Sequence, residues 1–215
     1  LIKKKYTNYF LVGPYIKEKA DVDFQEQEPP KELAPALEHL ASLGVKAHYG
    51  TWLIKGDPAV ILLEFWSVAS QLNDVKAQLW EQFGVDSLNA GGDFDEPLAL
   101  SLASAMLIEA MEHHSNYNTK SMVAQFHEWM TGLGLLILKA RQSQIRTVFT
   151  THATMLGRSI SGSGRDLYEE LDSINPDQEA KNLNVVEKYT AERACAKECT
   201  IFTTVSEITS MEAEK

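Results

Sequence analysis

The sequence has 215 residues, of which 44% are hydrophobic and 23% are charged, and its formal net charge at pH 7 is −10. This is the composition of an ordinary globular chain that can bury a core. The negative charge argues against a nucleic-acid partner, because affinity for phosphate backbones comes from clustered basic side chains. No apolar run reaches the roughly 18 residues of a membrane span, and Lys3, Lys4 and Lys5 are not followed by the hydrophobic core of a signal peptide.

Strand and helix patterns alternate in the first part of the chain. An apolar strand is predicted from Tyr9 to Gly13, where a Gly-Pro turn ends it. The acidic segment from Asp21 to Pro30 is predicted as a loop, and helical spacing of apolar residues follows from Lys31 to Leu43. Two apolar segments, Val45 to Ile54 and Ala59 to Phe65, flank a Lys-Gly-Asp-Pro turn and predict a β-hairpin.

The alternation continues through the rest of the chain. The predicted elements are, in order, helices from Gln71 to Phe83 and from Glu96 to His113, a strand from Met122 to Phe126, a helix from Met130 to Arg141, a strand from Arg146 to Thr151, two further helices and a strand from Thr200 to Val205. This order predicts an α/β fold with a mainly parallel sheet, helices on both of its faces and the β-hairpin as an insertion.

Polar side chains directly follow two of the predicted strands. The strand that ends at Thr151 is followed by His152 and, in the next helix, by Arg158. The preceding strand is followed by His127 and Glu128. Because open α/β sheets bind ligands at the carboxyl ends of their strands, these segments predict a cleft for a polar ligand.

These residues also have purely structural interpretations. A histidine after a strand could cap the next helix, an arginine could be a solvated helix residue, and His127 with Glu128 could be a satisfied polar pair. The sequence has no HxxxH or HExxH spacing, so no metal site is expected. Cys195 and Cys199 lie four residues apart without a second pair. This favours buried thiols in a reducing cytosol over a disulfide framework.

Several segments are similar, in sequence and in order, to one known family. They are NYFLVGPY, HYGTWLIKGDPAVILLE, VAQFHEWMTGLGLLILKAR, IRTVFTTHATMLGR and TIFTTVSEITSMEAEK, and the stretches Leu171–Asn175 and Glu192–Ala194 also fit. The chain thereby resembles the glycogen synthases of glycosyltransferase family 3. These are GT-B-type proteins with two Rossmann-like domains, and the resemblance covers the first of them.

The resemblance implies that residues 1–215 are the amino-terminal, acceptor-side domain, truncated at both ends. The glycine-rich donor loop of the family would lie upstream of the helical start at Leu1–Lys5, and the helix that begins at Glu207 is cut short. The essential acidic residue and most nucleotide contacts of the family belong to the carboxyl-terminal domain. We therefore expect the chain alone to be inactive.

The implied reaction is a retaining transfer of glucose from UDP-glucose or ADP-glucose to the non-reducing end of an α-1,4-glucan such as glycogen. By resemblance, His152 lies beside the donor glucose and its diphosphate, and Arg158 stabilises the charge on the leaving phosphate. His127 contacts sugar hydroxyls. Nothing in the resemblance implies a cofactor or a metal.

The remaining substrate-binding positions implied by the resemblance are Glu128, which would orient His127 or the strand end, and the hydroxyls of Thr151 and Thr154. The implied partners are the glucan acceptor, the nucleotide-sugar donor and, in a eukaryote, glycogenin, for which Ser67 to Phe83 is the candidate surface. Neither a nucleic acid nor a membrane is expected. The fragment is expected to be monomeric, the full-length protein homo-oligomeric, and both cytoplasmic.

A second hypothesis is a non-catalytic module that binds α-glucan or a partner protein. A gene that encodes a further Rossmann-like domain with an acidic catalytic residue would favour the transferase. A stop codon directly after Lys215 would favour the binding module.

Overall fold

The computed structural model describes residues 8–214, so the predicted helical start at Leu1–Lys5 lies outside the described residues. The strands are β1 (Leu11–Pro14), β2 (Phe24–Glu26), β3 (Lys46–Trp52), β4 (Ala59–Glu64), β5 (Val123–His127), β6 (Arg146–Thr151) and β7 (Ile201–Thr204). The α-helices are α1 (Lys17–Asp23), α2 (Ala34–Ser42), α3 (Leu72–Phe83), α4 (Gly92–His114), α5 (Glu128–Ala140), α6 (Met155–Gly162), α7 (Leu167–Glu170), α8 (Pro176–Asn182), α9 (Val186–Glu198) and α10 (Glu207–Ala213). Two 3-10 helices span Phe65–Gln71 and Thr119–Ser121. No helix within residues 8–214 combines the length and the apolar character that crossing a membrane requires.

The described residues divide into two compact units, residues 8–70 with 102–121 and residues 71–101 with 122–214. The first unit contains a four-stranded sheet in the order β1-β4-β3-β2. Strands β1 and β4 run parallel, whereas β3 pairs antiparallel with both β4 and β2. The predicted β-hairpin is confirmed, because Lys46 pairs with Glu64 at one end of β3 and Thr51 with Ala59 at the other.

A buried histidine joins three strands of this sheet. His48 on β3 is 5% exposed and stacks on the Tyr15 ring at a centroid distance of 3.8 Å. Its Nδ1 lies 2.8 Å from a carboxylate oxygen of Glu26 on β2, and its Nε2 lies 2.9 Å from one of Glu64 on β4. The hydrogen bond from His48 is the main cause of the lowered pKa of Glu64, and the ammonium of Lys46 lowers it further.

The second unit contains the three-stranded parallel sheet β5-β6-β7. Helix α5 connects β5 to β6, and helices α6 to α9 connect β6 to β7. His127 pairs with Thr150 and Thr151 pairs with Thr204, so the carboxyl ends of the three strands lie at one edge. The predicted α/β class is therefore confirmed, with parallel strand pairs and helical connections, and the described strands are distributed over two sheets.

Helix α5 is packed tightly against its neighbours in the second unit. Leu133, Leu136 and Ile137 are fully buried on this helix. A Cβ on Gly132 would lie 2.7 Å from Sγ of Cys195 on α9 and 2.8 Å from Cε2 of Phe149 on β6. The glycine therefore permits the close approach of α5, which begins directly after β5, to its neighbours.

The variant Gly132→Ala is expected to lower the free energy of unfolding by about 1–3 kcal/mol, because the added methyl overpacks a core without room for it. The matched control is Gly162→Ala at the end of α6, where a Cβ would meet no heavy atom within 4 Å. That change should stabilise by up to about 1 kcal/mol, since it restricts the unfolded chain. Urea unfolding of the two variants measures the difference, and equal stabilities would contradict this packing.

Candidate functional site

Two histidines meet at the carboxyl edge of the parallel sheet. His127 is the last residue of β5, and His152 follows the last residue of the adjacent strand β6. The register of the two strands places Nδ1 of His127 3.0 Å from Nε2 of His152. This is a hydrogen bond in which one imidazole donates and the other accepts, so a single proton lies between the two nitrogens. The predicted association of the two strand ends is present.

Glu128 connects the end of β5 to the segment after β6. Its Oε1 accepts a hydrogen bond from the backbone N–H of His152 at 2.8 Å, and it lies 3.7 Å from Nη2 of Arg158 on α6. The Glu128 carboxylate therefore binds the backbone and the cation of the neighbouring segment. These two contacts are compatible with the predicted role of Glu128 in orienting the strand end, which stays a prediction.

The backbone of Glu128 adopts a left-handed conformation, with a φ of 63°. For a residue other than glycine this costs on the order of 1–2 kcal/mol, so the surrounding contacts must hold it in place. Thr131 supplies such contacts, because its hydroxyl accepts from the N–H of His127 at 2.7 Å and donates to the carbonyl of His127 at 2.6 Å. These bonds fix the turn from β5 into α5 at the two residues, His127 and Glu128, whose side chains belong to the candidate site.

Arg158 presents an exposed guanidinium at this edge. It lies one turn into α6, and its side chain is 59% exposed. At 3.7 Å the contact with Glu128 is an ion pair beyond hydrogen-bonding distance. The planar donor array of the arginine is thus exposed to solvent next to Glu128 and suits a phosphate group.

The two predicted threonines point into the protein. Thr151 is fully buried, and its hydroxyl donates to Glu192 on α9 at 2.7 Å. Thr154 caps α6, where its Oγ1 accepts from the N–H of Gly157 at 3.0 Å, and it also donates to Glu212 on α10 at 3.3 Å. Both hydroxyls therefore hold the segment that carries His152. Their contact with a substrate stays a prediction.

Glu192 also lies in this region, although it was not among the residues predicted for the site. It is 8% exposed, and its second carboxylate oxygen accepts from the N–H of Met155 at 2.7 Å. Burial is the main cause that raises the pKa of this carboxyl above its ordinary value. No local pattern in the sequence indicates this burial, because Glu192 precedes Arg193 on a helix that carries several other charged residues.

The family model described as glycogen synthase matches residues 2–215. The chain belongs to the glycogen synthase family. It is 37% identical over 208 residues to the liver glycogen [starch] synthase of Mus musculus, and the aligned region covers 96% of the chain and 29% of that relative. It is 36% identical over 217 residues to glycogen [starch] synthase isoform 2 of Saccharomyces cerevisiae, with 96% and 30% covered. The glycogen [starch] synthase of Neurospora crassa is 34% identical over 207 residues, with 96% and 29% covered. The chain thus spans less than a third of the length of these relatives.

In this member of the glycogen synthase family, the histidine pair is electrostatically coupled. Partial burial is the largest cause that lowers the pKa of His127, the charge of His152 lowers it further, and Glu128 acts in the opposite direction. Within residues 8–214 no group of three or more His, Cys, Asp or Glu side chains is arranged to hold a metal ion.

The imidazole of His127 is expected to titrate below its ordinary value of 6.5. The variant His152→Ala should raise the pKa of His127 because it removes a repelling charge and opens the ring to water. The variant Glu128→Gln should lower it, since a favourable negative charge is lost. NMR titration of the ring protons measures both shifts. The same direction in the two variants would contradict this arrangement of charges.

Proposed function

We propose that this chain is the amino-terminal, acceptor-side Rossmann-like domain of a glycogen synthase. The complete enzyme transfers glucose from UDP-glucose or ADP-glucose to the non-reducing end of an α-1,4-glucan. Membership of the family supports the reaction class. The single observation that supports the location of the site is the His127–His152 hydrogen bond, with Arg158 beside it, at the carboxyl edge of the parallel sheet.

Arg158 and His152 stabilise the negative charge that develops on the leaving phosphate during this reaction. When the bond between glucose and the diphosphate breaks, negative charge builds on the leaving phosphate and positive charge on the sugar ring. An exposed guanidinium offers paired N–H donors to phosphate oxygens, and its charge is permanent. Donors that are already oriented stabilise this charge without reorganisation during the reaction. The positive charge is supplied by the protein, and we propose no metal.

The histidine pair is suited to fixing the sugar. Their mutual hydrogen bond occupies Nδ1 of His127 and Nε2 of His152. The two remaining ring nitrogens are the atoms from which the pair hydrogen-bonds sugar hydroxyls or a phosphate oxygen. Because the two rings hold each other, their orientation is set before the ligand arrives, and less entropy is lost on binding.

The other groups at this edge hold these side chains in place. Glu128 fixes the backbone of His152, while Thr151 and Thr154 hold the segment between β6 and α6 from inside. Enzymes of this kind react between two domains, and the chain spans less than a third of its relatives. We therefore expect no turnover by residues 1–215 alone. The assignments to a homo-oligomer, to the cytoplasm and, in a eukaryote, to glycogenin as a partner belong to the same proposal.

The test is the initial rate of glucose incorporation into glycogen by the complete gene product that carries this chain. UDP-glucose and ADP-glucose are supplied in separate reactions at matched concentrations. Incorporation from one donor at a clearly higher kcat/KM would support the transferase and name the nucleotide. Binding of glycogen without incorporation from either donor would contradict it and favour the non-catalytic glucan-binding module.

A further inference from the structure

One buried carboxylate holds both ends of the segment that carries His152. Glu192 on α9 accepts the hydroxyl of Thr151, the last residue of β6, through Oε1 at 2.7 Å. Through Oε2 it accepts the N–H of Met155, the first residue of α6, also at 2.7 Å. His152 lies between these two anchors, and Arg158 follows on the helix that the second anchor begins.

Burial of the Glu192 carboxylate costs free energy unless its oxygens accept hydrogen bonds. A carboxylate that is 8% exposed has lost most of its hydration, and each of its two bonds is therefore worth more than it would be in water. The N–H of Met155 is one of the donors at the start of α6 that lack an intrahelical acceptor. An anionic acceptor there satisfies this donor and is also favoured by the helix dipole. The segment gains a fixed geometry at both ends from a single side chain.

The charge of Glu192 is coupled to the charges at the edge of the sheet. Burial raises the pKa of its carboxyl most strongly, the hydrogen bonds from Met155 and Thr151 lower it, Glu128 raises it and Arg158 lowers it. On its own helix, the buried thiol of Cys195 also faces it, and burial followed by the Glu192 charge raises the pKa of that thiol. Two residues of the proposed site, Glu128 and Arg158, therefore influence the ionisation of the Glu192 carboxyl.

We propose that Glu192 is a positioning residue of the transfer site, whose ionised carboxylate holds the segment from Thr151 to Met155 so that His152 and Arg158 face the ligand together. This inference rests on the proposed function. Protonation of Glu192 replaces two charge-assisted hydrogen bonds by weaker neutral ones and loosens the segment. Glu192 itself does not contact the reacting atoms.

The variant Glu192→Gln separates charge from shape. A glutamine amide fills the same space, its oxygen accepts from Met155, and its NH₂ group donates to the rotated hydroxyl of Thr151. We expect kcat of the complete gene product to fall about 10- to 100-fold while KM for the donor changes by less than about twofold, because a transition-state contact is lost and ground-state binding is not. Glu192→Asp keeps the charge and should recover part of kcat. The control is Glu198→Gln on the same helix, whose carboxylate lies 3.7 Å from Lys139.

The pH profile distinguishes this role from general support of the fold. In the wild-type protein, kcat should fall on the acid side as pH drops through the raised pKa of Glu192, because the active form is the ionised one. This limb should be absent from the profile of Glu192→Gln and present in those of Glu192→Asp and Glu198→Gln. A purely structural role would lower thermal stability and kcat together and leave the shape of the profile unchanged.

The last measurement is independent of turnover. In NMR spectra, Glu192→Gln should move the amide resonance of Met155 and the ring resonances of His152, whereas Glu198→Gln should move neither. Wild-type kcat and an unchanged pH profile in Glu192→Gln would overturn the proposal, as would unmoved resonances. If Glu192→Gln does not fold, Glu192→Asp decides the matter, because its shorter carboxylate cannot reach both Thr151 and Met155: a kcat below that of the wild-type protein supports the proposal, and a wild-type kcat overturns it. If the wild-type protein transfers no glucose, the proposed function fails, and these resonances alone then decide whether Glu192 positions the segment.

Discussion

The variants His152→Ala and Arg158→Ala are each expected to lower kcat/KM for glucose transfer by about 100- to 1,000-fold, the usual loss when one oriented electrostatic donor is removed. Arg158 offers an exposed guanidinium, and His152 is oriented by a 3.0 Å hydrogen bond and by the Glu128 carboxylate. Neither side chain is part of the buried core, so the variants should keep the stability of the parent. Initial rates of incorporation into glycogen, with thermal melts in parallel, measure both expectations.

Two exposed residues provide matched controls for these variants. Arg146 lies at the amino end of the same strand β6, and His113 lies on α4. Arg146→Ala removes a guanidinium from the opposite end of β6, and His113→Ala removes an exposed imidazole that is not part of the candidate site; both should leave kcat/KM within about twofold of the parent. Equal losses in all four variants would mean that the carboxyl edge has no special role in the reaction.

The variant Glu128→Gln is expected to lower kcat about 10- to 100-fold without loss of the fold. The glutamine oxygen still accepts from the N–H of His152, but the charge that faces Arg158 is removed. The guanidinium then loses its ion pair with Glu128 and samples more orientations. Because ground-state binding depends less on this orientation than the transition state does, we expect the change in kcat and not in KM.

The control for Glu128→Gln is Glu169→Gln, which removes an exposed carboxylate from the short helix α7. It should leave kcat unchanged within about twofold, since exposed surface substitutions have small effects. A normal kcat in Glu128→Gln would show that the carboxylate is a structural cap and does not orient Arg158.

The sequence was sufficient to predict that His127 and His152 follow neighbouring strands of a parallel sheet. The β-branched and apolar segments before His127 and His152 predicted two parallel strands, and parallel neighbours bring their carboxyl ends to one edge. The hairpin of β3 and β4 was predicted for a similar reason, because an alternating segment and a continuous apolar segment flank a turn that only a few residue types form. In both cases the information is local, within about a dozen residues.

The rest depends on contacts between distant parts of the chain. Glu192 meets Thr151 across 41 positions, and no local pattern indicates that an acidic residue on a helix will be buried there. The left-handed start of α5 at Glu128, two residues before the predicted helix, depends on the bonds made by Thr131 and His152. The predicted loop from Asp21 to Pro30 was wrong for its first six residues, because residues 21–23 end helix α1 and Phe24–Glu26 forms β2.

Strand β2 illustrates why this prediction failed. Its acidic and polar residues have little intrinsic preference for a strand. It forms because β3 offers a partner at Gly50, where a Cβ would overlap the carbonyl oxygen of Gln25. The bond between Glu26 and the buried His48 adds a polar contact across the pair. Each of these determinants lies more than twenty residues along the chain from β2.

The most direct test of the site is a crystal structure of the complete gene product with its nucleotide diphosphate and a glucan bound. We expect the guanidinium of Arg158 and the ring of His152 to lie within about 3.5 Å of phosphate or sugar oxygens, and the ring of His127 to contact the same sugar. A diphosphate and a sugar that bind elsewhere, with the His127–His152 pair in contact only with solvent, would contradict it.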